Sequence, residues 1–145
     1  MEVCSIGFTQ KTAEQFFTLL RQAGIRQLLD VRLNNVSQLA GFAKREDLRF
    51  FLNEICGADY RHEPLLAPTQ EMLDEYKKSK GPWTEYETKF VSLMARRKIE
   101  DRLDPTWFSA RTALLCSEPT AEHCHRRLVL EYLRDKWGDL TIVHL

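Results

Sequence analysis

Short apolar runs alternate along the chain with stretches whose apolar positions recur at helical spacing, the pattern of an α/β domain. Val3-Cys4-Ser5-Ile6-Gly7 reads as a first strand. Thr12 with Gln15 offers a capping box, Phe16, Leu19, Leu20 and Ala23 follow on one helical face, and Gly24 supplies a stop. Residues 27–32 form a second strand, and the polar loop 33–38 has no period. Leu48, Phe51, Leu52 and Ile55 mark a helix stopped by Gly57, and residues 60–65 a short third strand with Pro64 at its end or edge. Thr69 caps a helix bearing Met72, Leu73 and Tyr76, which Gly81-Pro82 breaks. Thr84 with Glu87 predicts another capping box, ahead of Tyr86, Phe90, Leu93, Met94 and Arg97. After a turn at Asp104-Pro105, residues 112–116 are a buried-type strand. A helix from about Ala121 to Trp137, with Thr120 as its N-cap, and a last strand over 140–145 complete the order. With right-handed crossovers this predicts one domain over 1–145: a Rossmann-like, three-layer α/β/α fold around a mostly parallel five-stranded sheet, in strand order 3-2-1-4-5.

Composition narrows the function classes. A chain of 145 residues, 43% apolar and 29% charged, is long enough for a real core and ordinary for a water-exposed globular domain. No run of apolar residues is long enough to span a bilayer, and Met1 to Gly7 lacks the basic-then-apolar pattern of a leader. The expected location is cytoplasmic, with four reduced cysteines and no disulfide framework. A formal net charge of zero gives no prior for nucleic acid, which stays open only through local patches.

Chemistry is expected where open parallel sheets bind ligands, beyond the carboxyl ends of the strands. Those ends carry Gly7, Phe8 and Thr9; Asp30 and Arg32; Cys116 and Glu118; and His144. If strands one and four are neighbours, Thr9 and Glu118 flank one crevice. On the helix after strand four, Ala121, Leu128, Val129 and Tyr132 share a stripe with His125 near its centre. His125 should point inward, Cys124 lies at the margin, and His123 falls on the solvated side. Taken singly these residues are ordinary: a His on an apolar face is usually a satisfied core residue, Cys4 and Cys56 are small hydrophobes, and Asp30 with Arg32 is one ion pair. Their convergence beside a helix N-terminus argues for function.

Standard signatures are absent. There is no dinucleotide fingerprint, phosphate loop, serine-hydrolase elbow or zincin helix. A Cys-x5-Arg loop fails too, because Glu122 follows Cys116 at that distance and Leu130 follows Cys124. Asp30-Val31-Arg32 resembles the strand of rhodanese-type sulfurtransferases, but the loop after Cys116 is not the tight cysteine loop they need. Cys116, Cys124, His125 and His144 are suitable zinc ligands at the wrong spacing for a ribbon or finger, so no metal or other cofactor is assigned and zinc stays the alternative.

Several segments together resemble domain-of-unknown-function family 488. They are Ile6-Gly7-Phe8-Thr9, Leu29-Asp30-Val31-Arg32, Ser37, Gly41-Phe42, Tyr60-Arg61-His62, Leu114-Leu115-Cys116-Ser117-Glu118, Cys124-His125-Arg126-Arg127 and Val143-His144-Leu145. The Cys-x-Glu followed by Cys-His-Arg, with a terminal His-Leu, is the most specific part. The family is uncharacterised, with members loosely linked to DNA repair. The resemblance implies that Asp30, Arg32, Ser37, Cys116, Glu118, Cys124, His125, Arg126 and His144 matter. Phe8 stands where the family often has His, Asn35 where Pro is common, and Ala67 where Gly is common.

Three functions compete. The favoured one is an enzyme or binding domain for a small anionic or phosphorylated, nucleotide-like compound. Arg32 and Arg126 with the helix N-terminus would hold the anion, alongside Gly7, Thr9, Asp30 and Ser37. Glu118, His125 or His144 would move protons, and Cys116 or Cys124 would serve as nucleophile. The second is a nucleic-acid accessory protein using Arg96-Arg97-Lys98, Arg126-Arg127 and exposed Trp83 and Trp107. The third is an interaction module without catalysis. The sequence does not give the oligomeric state.

Overall fold

A computed structural model describes residues 1–35 and 40–145; Ser37 therefore lies outside the described residues. Five strands, β1 (Glu2–Gly7), β2 (Gln27–Asp30), β3 (Asp59–His62), β4 (Thr112–Cys116) and β5 (Thr141–His144), form one sheet in the order β3-β2-β4-β1-β5. Every pairing is parallel. Helices α1 (Ala13–Gln22) and α2 (Arg45–Phe51) cover one face. Helices α3 (Gln70–Lys77), α4 (Trp83–Arg97), α5 (Ile99–Arg102) and α6 (His125–Trp137) cover the other. This is the three-layer α/β/α architecture.

The expected strand order is corrected at one place: β4 lies between β2 and β1, and β1 lies next to β5. The reason is visible in the side chains. Thr112-Ala113-Leu114-Leu115-Cys116 is buried at every position, so it belongs at the sheet centre with helices on both faces, whereas β5 is half exposed and sits at an edge. Alternation along the strands divides the core cleanly. Cys4, Ile6, Leu28, Ala113 and Leu115 face Phe16, Phe17 and Leu20 of α1 and Leu48 of α2. Val3, Leu29, Val31, Leu114 and Cys116 face Phe90 and Met94 of α4 and Leu128, Val129 and Leu133 of α6.

Local signals explain most element ends. Thr12 and Gln15 make the reciprocal capping box, worth about 1 kcal/mol. Thr69 Oγ1 accepts from the Met72 N–H. Gly57, in the left-handed region at φ 61°, ends a π-helical turn over Leu52–Cys56 that continues α2. Two helix starts differ from the sequence expectation. Helix α4 begins at Trp83 with Pro82 before it, so Thr84 is already inside and makes no capping box with Glu87. Helix α6 begins at His125, not near Ala121. Residue Cys124 is its extended N-cap, and no side chain caps it. Thr120 is exposed and makes no capping bond, and Cys124 is extended with its sulfur against that of Cys116. No helix among the described residues is long and apolar enough to cross a membrane.

Candidate functional site

The register sets Gly7 beside Cys116, and Asp30 beside Leu115, so β1, β4 and β2 end at one level. Above that level opens a cleft of ≈ 320 Å³ between the strand ends, the start of α6, and α3 with the start of α4. Its floor holds Arg32, Cys116, Cys124 and His125; its far wall holds Tyr76, Trp83 and Tyr86.

Asp30 is buried beneath this floor, paired with Arg32. Arg32 donates from Nε and Nη2 to both Asp30 carboxylate oxygens (2.9 and 2.8 Å), and from Nη2 to the Ala43 carbonyl (2.7 Å). Tyr60 donates its hydroxyl to Asp30 Oδ2 at 2.6 Å, and burial together with the Asp30 charge holds the Tyr60 phenol well above the ordinary tyrosine range. The Arg32 guanidinium lies over the Phe8 ring, 5.2 Å from its centroid. One donor is left over: Arg32 Nη1 is buried and has no partner among the described residues.

His125, the first residue of α6, does turn inward. Its Nε2 lies 2.7 Å from the Val31 carbonyl, so that nitrogen carries the proton and Nδ1 keeps the lone pair. Burial pushes its pKa down to about 4, against the pull of the Val31 carbonyl, so the ring is neutral near pH 7. Phe90 packs on it at 5.3 Å.

Arg126 points the other way. It is 1% exposed, and burial lowers its pKa to about 10, still protonated at neutral pH. Its Nη1 donates to Cys116 Sγ (3.1 Å) and the Glu118 carbonyl (2.9 Å), and its Nε to Ser5 Oγ (3.1 Å). Ser5 Oγ also shares a hydrogen bond with His144 Nδ1, 2.5 Å away. Burial, with Arg126 nearby, lowers the His144 pKa. Arg126 and His144 therefore belong to a chain of hydrogen bonds across β5, β1 and β4, outside the cleft lining. Gly7 serves the same packing: its Cα is so close to the Glu118 carbonyl that no side chain fits. Thr9 is exposed, and its N–H donates to the Ser117 carbonyl at 3.1 Å.

Cys116 and Cys124 meet sulfur to sulfur, with their Cα atoms 7.4 Å apart. The expectation of four free thiols is corrected here, because residues 117–123 fold back and bring Cys124 over the end of β4; Cys4 and Cys56 remain free. A nucleophilic role for either residue requires this pair to be open. Among the described residues, Cys116, Cys124 and His125 are the one group of metal-ligating side chains found, with ligand atoms within 4.8 Å of one another.

The chain matches the family described as domain of unknown function DUF488 over residues 12–133. It belongs to DUF488. No curated protein and no solved structure matches it. The matched span of the DUF488 chain takes in Arg32, Cys116, Glu118, Cys124 and His125, the predicted residues that line the cleft.

Sequence reasoning missed the far wall. Lys77 of α3 pairs with Glu118 at the rim. Trp83 stacks on Tyr86 (5.3 Å) and on His123 (5.0 Å), so His123, expected on the solvated side, is exposed but shelved against an aromatic ring. Trp83 and Trp107 are both partly covered, not exposed as expected, and the Arg61 guanidinium lies 3.6 Å above Trp107. Parts of the basic stretches are engaged within the fold: Arg97 donates to the Leu65 and Ala67 carbonyls, and Arg127 pairs with Glu87 and Glu131, while Arg96 and Lys98 are exposed. A usable signal did exist for the wall, since Tyr76, Trp83 and Tyr86 flank the Gly81-Pro82 break and must meet where α3 and α4 fold together.

Proposed function

We propose that the cleft at the carboxyl ends of β2 and β4 binds a small anionic or phosphorylated, nucleotide-like compound, and that the chain acts on it as an enzyme. One observation carries the reading: the buried Arg32 lines the cleft, and its Nη1 has no partner among the described residues. A buried guanidinium N–H with no acceptor costs stability unless a ligand supplies one. The uncapped N-terminus of α6, whose first residue also lines the cleft, adds unsatisfied N–H groups and a positive dipole end. The face of Trp83, flanked by Tyr76 and Tyr86, suits a planar ring opposite the anion. Glu118, at the rim with Lys77, is the candidate general acid or base. Arg126 takes no part in holding the ligand on this reading; its donors hold Cys116, Glu118 and Ser5 in place.

The test is calorimetry and thermal shift of the full chain against inorganic phosphate, pyrophosphate, nucleoside mono- and diphosphates and short single-stranded DNA. One anion class should raise the melting temperature. Trp83→Leu should weaken a ring-bearing ligand by about 1–3 kcal/mol, the usual worth of one stacked base, and leave phosphate or pyrophosphate unaffected. Absence of any shift across the anions would overturn the proposal. Binding of DNA alone, with strong salt dependence, would favour the accessory-protein reading instead.

A further inference from the structure

We infer that Cys116, Cys124 and His125, with both sulfurs as thiolates, form a three-ligand site for a single zinc-type metal ion whose fourth position opens into the cleft. This does not depend on the anion reading.

Geometry comes first. The three side chains project from two neighbouring points, the end of β4 and the start of α6, and their ligand atoms lie within 4.8 Å of one another. Ligands on a tetrahedral zinc ion stand about 3.5–3.8 Å apart, given zinc–sulfur and zinc–nitrogen bonds near 2.3 and 2.0 Å. The Cα atoms of Cys116 and Cys124 are 7.4 Å apart, beyond the range that a relaxed disulfide bridges. The two sulfurs meet directly in this structure, so the ion enters only once the pair is reduced and the sulfurs part.

The surroundings are those of a metal site. A ligating histidine nearly always donates its other ring N–H to a carbonyl or carboxylate, which fixes its tautomer. His125 Nε2 does this toward the Val31 carbonyl at 2.7 Å, leaving Nδ1 as the ligand atom. Arg126 Nη1 donates to Cys116 Sγ at 3.1 Å, a charge-assisted bond that favours the thiolate. Two thiolates with one imidazole form a soft donor set that selects zinc over magnesium or calcium. Three protein ligands, rather than four, are the mark of a catalytic site that keeps a position for water or substrate. All three residues line the cleft, so that position faces the cleft. His144, the fourth ligand type expected from sequence, is occupied by Ser5 and is not in the group.

The experiment uses the full chain, stripped of metal and held under a thiol-free reductant. Zinc is titrated against a chromogenic chelator, and cobalt(II) serves as a spectroscopic probe. The expected result is one ion per chain, with thiolate-to-cobalt charge-transfer bands. Cys124→Ser should weaken zinc affinity at least 100-fold, while Cys56→Ser, a control away from the cleft, should leave it unchanged. X-ray absorption of the zinc-loaded wild type should count two sulfur ligands and at least one nitrogen, which keeps the proposal testable if Cys124→Ser fails to fold. Failure of the reduced chain to take up zinc, or a sulfur-free coordination shell, would overturn it. Trp83→Leu should bind zinc normally, so loss of metal binding and loss of anion binding are separable failures.

Discussion

Replacing Gly7 with alanine is the sharpest test of how the strand ends are held. A methyl group at Gly7 would stand 1.6 Å from the Glu118 carbonyl oxygen, 2.7 Å from its carbon and 3.1 Å from Arg126 Nη1. The first two are backbone atoms, which cannot rotate away as a side chain can. The 117–118 segment must retreat by roughly 1.5 Å to reach ordinary contact. That retreat breaks two bonds. Arg126 Nη1 to the Glu118 carbonyl (2.9 Å) involves a charge and is worth about 1.5–3 kcal/mol; the Thr9 N–H to the Ser117 carbonyl (3.1 Å) is worth about 0.5–1.5 kcal/mol. Gly7→Ala should therefore lower stability by about 2–4.5 kcal/mol, or roughly 5–15 °C in melting temperature for a chain of this size. Urea unfolding followed by tryptophan fluorescence gives the free energy, and calorimetry the temperature. A loss below about 1 kcal/mol would refute the reasoning, because it would mean that the Glu118 carbonyl is not seated on Gly7.

Two further outcomes follow from the buried polar groups. Arg32→Ala strips the charged partner from Asp30, which has no exposed surface, and should cost about 3–5 kcal/mol in urea unfolding; a cost under 1 kcal/mol would mean that the pair is not buried in solution. Burial holds the phenols of Tyr60 and Tyr86 above the ordinary range and pushes Tyr132 up to about 12, so the folded chain keeps them protonated where the unfolded chain ionises near pH 10. Their stability contribution is complete below pH 10 and falls as pH rises beyond it. Ultraviolet titration near pH 11 should find these phenols ionising only with unfolding, and reversible ionisation of all four tyrosines near pH 10 in the folded chain would contradict it.

What was legible in the sequence followed from local rules. Alternation of apolar runs with helical periods predicted the three layers, and Thr12, Thr69 and Gly57 set ends through caps and a left-handed stop. Strand order was not legible, because it depends on which strand is wanted at the centre, a comparison between distant segments. The start of α6 was misread for a related reason. Thr120 has the better capping chemistry, but the helix starts only after the extended Cys124, whose sulfur meets Cys116 at the end of β4. His125 was found because its position on a stripe is a property of one helix. Arg126 was assigned to the ligand because an arginine beside a helix start usually faces water. Here Ser5, a small polar residue inside a buried strand, makes room for it and accepts its Nε. The cleft's aromatic wall comes from α3 and α4, which no strand-end rule addresses.

The placement of buried charge argues against a purely structural reading. Ser5, Asp30, Arg32, Asn35 and Arg126 are buried and polar, and all lie in or beyond the carboxyl half of a strand, or on the helix start above it. At the opposite ends, Thr112 is the buried polar residue among those described, and the charges there, such as Arg111 with Glu2, are partly exposed. Charges are expensive to bury, and apolar residues of similar volume often hold a fold together as well or better. Polar groups serving only to tie loops would be expected at both ends of the sheet and fully satisfied. Two buried guanidinium N–H groups, Arg32 Nη1 and Arg127 Nε, lack a partner among the described residues; Arg32 lines the cleft at the end where parallel sheets bind ligands, and this asymmetry supports the proposed reading.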